Sequence, residues 1–306
     1  MLTTALLEDL RRAFPDTPVD FLIGDRAAPL LEHHPLVSER VIYDRAHPTR
    51  TWRAVRERRY DWVIDPQSSP RTAPVAIISG APVRAGFSVR GWGWAYTHRL
   101  ARAGRPVEYV ARERQRLLEM LGVPIARPRT RLALTNEERA SGLRRLEAQG
   151  VIGPAPVVAL VLSSGDAKRE WPVGHFAAVA SALASEGVQQ VLLETPGDAE
   201  KVAHVRGAAG ALPHLNLPGL RDFMGTLAAC GMLVSADTGP AHMATALEVP
   251  RVTICGPEHA EAWAPADDPR VIALRAASGS APDVTPAHVV DSVRTMLARG
   301  ALRARH

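Results

Sequence analysis

The segment Val234-Ser235-Ala236-Asp237-Thr238-Gly239-Pro240-Ala241-His242 carries the strongest chemical signal in the sequence. An apolar strand runs into Asp-Thr-Gly, and Pro240 then opens a helix, a position where its missing N–H is not needed. Gly239 frees the turn and lets a ligand approach the backbone. The helix N-terminus presents unpaired N–H groups and a partial positive charge, which suit a phosphate. Thr238 adds a hydroxyl donor, and His242, in the first helical turn, is placed to face the same crevice. The plainer alternative makes Asp237 and Thr238 helix caps and His242 an ordinary packed histidine. The loops described next favour ligand binding.

A second loop, Leu162-Ser163-Ser164-Gly165-Asp166-Ala167-Lys168-Arg169-Glu170-Trp171-Pro172, follows a strand and precedes a helix starting at Pro172. Two hydroxyls, a glycine and a lysine in such a place suit two phosphates. Ser163, Ser164 and backbone N–H groups are the donors, and Lys168 is a point charge. Taken alone, the segment also reads as a solvated loop. The spacing of a Walker A loop is absent. Lys168 and Lys201 are the only lysines among 37 basic residues, which singles Lys168 out. A third segment, Glu194-Thr195-Pro196-Gly197-Asp198-Ala199-Glu200, sets carboxylates after a strand and turn. There Asp198, Glu194 or Glu200 can hold ribose hydroxyls. Asp198 as N-cap of the helix running to Ala209 is an equal alternative, and both roles are compatible. Cys255-Gly256-Pro257 closes another strand, with Gly256 permitting close backbone approach; Trp263, further on, reads more readily as core than as a stacking surface. Strand ends converging on one edge argue for a nucleotide diphosphate in the second half of the chain.

The elements that must position these residues alternate between strand and helix, which predicts an α/β protein with mostly parallel sheets. Strands are expected at Asp20–Gly24, Val41–Asp44, Trp62–Asp65, Val157–Ser163, Val188–Glu194, Met232–Asp237, Arg251–Gly256 and Arg270–Leu274. Helices are expected at Met1–Phe14, Pro106–Leu121, Thr135–Gln149, Pro172–Glu186, Pro240–Glu248 and Thr285–Arg299. Thr135 and Glu138 have the spacing of a capping box, and Gly122 and Gly150 stop their helices. The Arg/Pro-rich stretch Ile125–Leu134 has no period and reads as part of a linker. The expected domains are 1–150 and 151–306, with the last helix free to pack back on the first domain.

Composition narrows the function. The 306 residues are 46% hydrophobic and 23% charged, ordinary for a globular protein and enough for two cores. No apolar run reaches the ~18 residues of a membrane span. The amphipathic opening is not a signal peptide. Two cysteines, Cys230 and Cys255, without CxxC spacing, argue against a disulfide scaffold or structural zinc and fit a reducing cytoplasm. The net charge of +5 is carried almost wholly by arginine. It reads as a solvated basic surface or as one facing anionic lipid or a phosphorylated acceptor. No nucleic-acid-binding motif is present, so nucleic acid is not an expected partner.

With these residues in view, the sequence resembles glycosyltransferase family 9, the ADP-heptose:lipopolysaccharide heptosyltransferases. The carrying segments are SSGDAKREWP, LLETPGDAEK, VSADTGPAHMATALEVPRVTICGP and EAWAP, joined in the first half by MLTTALLEDLRRAFPDTPVDFL, DPQSS and YTHRL. The resemblance implies a GT-B architecture, two Rossmann-like lobes with parallel sheets and a cleft between them. It implies an inverting, metal-independent transfer of a sugar, heptose from ADP-heptose, to a lipopolysaccharide core or related glycan, with no cofactor. Ser163, Ser164, Lys168, Asp237, Thr238, Gly239 and His242 would hold the donor phosphates. Asp198, with Glu194 or Glu200 as alternatives, would meet the ribose. Arg71, Arg84 and Arg90 are placed to meet an anionic acceptor or to be ordinary surface charge.

Two departures stand out. LLETPGD replaces a Gly-Gly-Pro-Gly-Glu type of turn, which leaves the ribose contact open between the three carboxylates. Family members also begin with a strand and a Gly-Asp loop, whose aspartate is the expected general base. Met1 stands where that loop would end, so the expected base lies before Met1 and the catalytic residue is unknown. Asp25, near the end of the next strand, is the nearest substitute. A non-catalytic sugar-nucleotide-binding protein is therefore the alternative. A third reading, an epimerase or hydrolase of a sugar nucleotide, rests on fold analogy. A lipid-linked acceptor and the basic charge imply a cytoplasmic protein with peripheral contact to the inner membrane.

Overall fold

In the computed structural model, which describes residues 1–102, 107–164, 166–257 and 259–299, the chain forms two units, Met1–Ala133 and Leu134–His306. Pro106, expected to open a helix, and Gly165 lie outside the described residues, as does residue 300 onward.

The first unit opens with a 3-10 turn, Leu2–Thr4, and α1, Ala5–Ala13. Leu6 of α1 is buried, and Leu10 packs beside it against Leu118 and Val123. Parallel strands β1, Phe21–Gly24, and β2, Arg40–Tyr43, pair with each other. Helix α2, Pro48–Glu57, leads to β3, Trp62–Asp65, and α3, Ala73–Ser79, to β4, Val83–Ser88. Strand β5, His98–Ala101, completes a second parallel sheet in the order β3-β4-β5. Helix α4, Val110–Met120, ends as expected at Gly122, whose φ of 80° suits glycine. Strands β4 and β5 and helices α2 and α3 carry no strong sequence signal. Strand β4 is interrupted by Arg84 and Gly86, and Gly86 is there for packing: a Cβ would sit 2.6 Å from the Tyr96 ring.

The second unit begins with α5, Asn136–Ala148. Its capping box is present: the Thr135 hydroxyl accepts from Glu138 N, and the Glu138 carboxylate accepts from Thr135 N at 2.7 Å. There follow β6 (Val158–Val161), α6 (Val173–Ser185), β7 (Gln190–Glu194), α7 (Ala199–Ala209) and β8 (His214–Asn216). Next come α8 (Leu220–Ala228), β9 (Met232–Ala236), α9 (Gly239–Ala246), β10 (Arg251–Ile254), α10 (Ala260–Trp263), β11 (Val271–Leu274) and α11 (Pro286–Ala298). All strands are parallel, in the order β11-β10-β9-β6-β7-β8. The core lies between this sheet and helices that include α6 and α11, from which Phe176, Val179, Leu183, Val289, Val293 and Met296 are buried.

The domain boundary expected at residue 150 moves to Ala133/Leu134, because α5 packs on α8 within the second unit. The approach is so close that a Cβ on Gly142 would overlap the Gly225 carbonyl, and one on Gly225 the Glu138 carbonyl. Arg221 of α8 also donates two hydrogen bonds to Glu138 of α5, from Nε to Oε1 at 2.6 Å and from Nη2 to Oε2. Among the described residues no helix is long and apolar enough to cross a membrane.

Candidate functional site

The second unit's sheet reverses direction of growth at β6. The chain builds β6-β7-β8 to one side, then returns to add β9-β10-β11 on the other. The carboxyl ends of β6 and β9 flank that switch point, where open parallel sheets bind their ligands. Register fixes the level: Val161 pairs with Ser235, so Ser163 and Asp237 each lie two residues beyond a matched pair. The two sequence-singled loops therefore emerge side by side.

Thr238 sits at the N-cap position of α9 with extended backbone, yet its hydroxyl does not cap the helix. Thr238 Oγ1 is buried and has no hydrogen-bond partner. A buried hydroxyl in that state is costly, and a polar ligand atom relieves it. A Cβ on Gly239 would meet nothing within 4 Å, so the space over the helix N-terminus is open. Asp237 is buried; its backbone N–H donates to Ile254 O at 2.9 Å. Its Oδ1 lies 4.0 Å from His242 Nε2, and the His242 ring rests against Trp263 with centroids 5.9 Å apart. Capping, the plainer role for Thr238, is thus not what the hydroxyl does.

The serine loop is partly committed. Ser164 Oγ closes a turn with Asp166, accepting from its N–H at 3.3 Å and donating to its carbonyl. Ser163 Oγ donates to Asp198 Oδ1 and accepts from Lys201 Nζ at 3.2 Å. Lys201 Nζ also pairs with Glu170. Lys168, on a 3-10 turn, is exposed. The cation beside Ser163 is Lys201, which sequence reasoning passed over. The rarity that singled out Lys168 applied equally to Lys201, and its position in the first turn of α7 was the available signal.

The ribose candidates separate. Asp198 is buried, with Oδ1 accepting from Ser163 and Oδ2 from the N–H and hydroxyl of Thr195. It stands at the N-cap position of α7 without making the side-chain cap bond expected of it, because it closes the Thr195–Asp198 turn instead. Glu194 accepts from Asn216 Nδ2 at 3.1 Å and pairs with His214 at 2.9 Å. Glu200 alone of the three is exposed.

Gly256 serves the protein's own packing. A Cβ there would meet Arg169 Cγ at 3.0 Å and Lys168 O at 3.1 Å, so the 3-10 turn fills the space reserved for a ligand in the sequence reading. Trp171 is an anchor, buried and donating to Val284 O at 2.9 Å. Cys255 is buried, and burial, with Asp237 nearby, pushes its thiol up to about 12, so it stays protonated. Cys230 and Cys255 form no disulfide, and among the described residues no three His, Cys, Asp or Glu side chains group to hold a metal.

In the first unit the DPQSS and YTHRL segments meet. Asp65 Oδ1 accepts from the N–H groups of Gln67 and Ser68, each at 3.0 Å, and Oδ2 from Tyr96 OH at 2.6 Å. Ser68 Oγ donates to Asp65 O and accepts from Phe87 N at 2.7 Å, holding Ser68 at a φ of 49°. Burial and Asp65 raise the Tyr96 pKa, keeping it a donor. Arg84 is spent on structure, donating to Ala95 O at 2.9 Å and Ala81 O at 2.7 Å, so it is not free for an acceptor. Arg71, Arg90 and Asp25 are exposed, Asp25 following the carboxyl end of β1.

Two units with parallel Rossmann-like sheets, the second in 3-2-1-4-5-6 order with two loops emerging side by side at its switch point, define a GT-B type of fold. Solved structures agree. A family 9 glycosyl transferase from Veillonella parvula matches with TM-score 0.86 at 22% identity over 97% of this chain and 93% of that one. An E. coli ADP-heptose lipopolysaccharide heptosyltransferase II matches with TM-score 0.81 at 21% identity over 98% and 95%. Among sequence relatives, lipopolysaccharide heptosyltransferase 2 of Salmonella typhimurium is 26% identical over 97% of this chain and 94% of its own length. The model of glycosyltransferase family 9 (heptosyltransferase) matches residues 49–292, and the chain belongs to that family.

Proposed function

We propose that the protein transfers a sugar, heptose from ADP-heptose, to a lipopolysaccharide core or related glycan, with inversion and without a metal or cofactor. The observation that carries the reading is the buried, unpartnered Thr238 hydroxyl at the open N-terminus of α9, beside the serine loop at the switch point. An acceptor hydroxyl loses its proton to a base and attacks the anomeric carbon; the bond to the diphosphate breaks on the opposite face. The leaving diphosphate takes hydrogen bonds from Thr238 and the α9 N-terminus, and from Ser163 and Ser164 once their hydroxyls turn away from Asp198 and the Asp166 carbonyl, with Asp237 and His242 shaping the turn beneath. Lys168 is free to swing onto it, and Lys201 reaches it by leaving Glu170. Of the carboxylates, Glu200 is the one exposed for the ribose. The relatives' names support the donor and acceptor classes: one names ADP-heptose, and two name lipopolysaccharide. The same reading places the protein on the cytoplasmic side, with its basic surface touching the inner membrane.

Calorimetry with ADP, followed by mass analysis of ADP-heptose incubated with a core acceptor, tests this. ADP binding that weakens in Lys168→Ala, and a product one heptose heavier, are expected. Absence of ADP binding overturns the site. Free sugar or isomerised donor formed without acceptor overturns the transfer.

A further inference from the structure

We propose that the Trp92–Trp94 loop of the first unit is a sugar-stacking platform for an anionic glycan acceptor; the inference rests on the transferase reading above. Trp94 is 65% exposed, and it is the exposed one among six tryptophans. Exposed tryptophan is expensive in water, and here it is held in place. Its Nε1–H donates to Gly91 O at 2.9 Å, which satisfies the polar edge and fixes the ring. The Trp92 ring stacks with it at 6.3 Å between centroids and 25° between planes. Trp92 is in turn packed against the buried cluster of Ala73, Ala76, Ala95 and Tyr96. Gly91, at φ 88°, makes the turn that presents the pair. One ring is thus anchored in the core and the other lies outward, a rigid apolar face with its hydrogen bond already made.

Position and charge select the occupant. The loop leaves the carboxyl end of β4, and the loop bearing Arg71 leaves the carboxyl end of its neighbour β3. That is the ligand-bearing edge of a parallel sheet. Arg71 and Arg90, one on each of these loops, are exposed and add positive charge to that edge. A pyranose offers its C–H face to such a ring, and carboxylate or phosphate substituents meet arginine. A membrane surface fits less well. Val89 and Trp92 beside it are half-buried, so a single ring stands out rather than the apolar cluster that lipid insertion uses.

The test is equilibrium binding of a deacylated lipopolysaccharide inner-core oligosaccharide, without donor, to the wild-type protein, Trp94→Ala and Trp94→Phe, with ADP affinity measured in parallel. The expected result is affinity for the oligosaccharide reduced about tenfold in Trp94→Ala and restored to within about threefold in Trp94→Phe, with ADP affinity unchanged in both. In turnover, the acceptor KM rises by the same factor while kcat holds. Equal binding by wild type and Trp94→Ala overturns the platform, as does wild-type protein that binds no oligosaccharide. Trp94-dependent binding to anionic phospholipid vesicles lacking glycan, with oligosaccharide binding unaffected, overturns it in favour of a membrane contact. Failure of the transferase reading shows separately, as absent ADP binding.

Discussion

The two units build parallel sheets of different completeness. In the second, β6, β9 and β10 are buried along their whole length within one six-stranded sheet. In the first, among the described residues, β1 and β2 pair only with each other, and β3 has only β4 beside it. All four residues of β1 and three of the four in β3 are half-exposed, and Ile42 of β2 is 41% exposed. A two-stranded parallel sheet has little cohesion of its own. The second unit gathers its apolar burial in one large cluster spread over the sheet, whereas the first divides it among smaller clusters tied together by a few polar nodes. In one node Asp65, Ser68 and Tyr96 tie β3 to β4. In another the buried Asp9 accepts from Gln115 Nε2 at 2.5 Å and from Ala126 N at 3.1 Å. Concentrated polar support is sensitive to single changes in a way that distributed burial is not.

The largest effect should follow from breaking a node. Asp65→Ala leaves two backbone N–H groups and the Tyr96 hydroxyl without their acceptor, at a cost of about 3–5 kcal/mol. Hydrogen exchange should then show β3 and β4 losing protection while β6 and β9 keep theirs. Equal loss in both units would mean that the contrast between them is wrong. A smaller effect is expected at the closest helix contact of the second unit. Gly142→Ala drives a Cβ into the Gly225 carbonyl and should cost about 1–3 kcal/mol as α5 shifts off α8. Denaturant unfolding measures it, and an unchanged midpoint would show that the contact yields freely.

Acid should separate the units further. Burial, with Arg131 nearby, lowers the His34 pKa to about 4, below its ordinary value near 6.5. A depressed histidine favours the folded state while neutral, so its contribution is present above about pH 6.5 and is lost as pH falls toward about 4. Hydrogen bonds from Arg221 hold Glu138 down at about 2. Its contribution is present above the ordinary glutamate value near 4.3 and fades only as pH falls toward about 2. Unit-resolved exchange across pH 7 to 3 should show the first unit loosening first. Simultaneous loosening would assign acid sensitivity to other groups.

This asymmetry also explains what the sequence discloses. In the second unit, buried strands read as apolar runs, several helix stops fall on glycines, and the Thr135/Glu138 capping box appears as its spacing predicts, although the partly exposed β8 and helix α8 are not among the expected elements. Its site loops follow directly from those strands. In the first unit β4 and β5 went unseen, since Arg84, Gly86, His98 and Arg99 break the apolar run that a buried strand needs. Arg84 looked like a surface charge because its partners are carbonyls of Ala81 and Ala95, which no side-chain pattern reveals. Within the site, Thr238 and the paired loops were legible from type and position. The commitment of Asp198 to Ser163 and Thr195, and the reach of Lys201 to Ser163, were not. The bonds to Ser163 are tertiary contacts between the loop after β6 and the start of α7, separated by more than thirty residues of sequence.

The smallest effect on stability should be the most informative about the site. Thr238→Val keeps the shape of the side chain and removes a hydroxyl that has no partner in the free protein. Removing a satisfied hydroxyl would cost about 1 kcal/mol. Removing an orphaned one should leave the unfolding midpoint unchanged or raise it, since a buried polar atom is replaced by a methyl group in an otherwise intact core. ADP affinity should nevertheless fall about tenfold, the factor equivalent to one ligand hydrogen bond of about 1.4 kcal/mol. The two measurements together distinguish a hydroxyl kept for a ligand from one kept for the fold. Destabilisation with unchanged ADP affinity would return Thr238 to a structural role and remove the main support for a phosphate at the N-terminus of α9. Unchanged stability with weakened ADP binding would show that the well-buried sheet carries a local cost at its switch point, one that donor binding offsets.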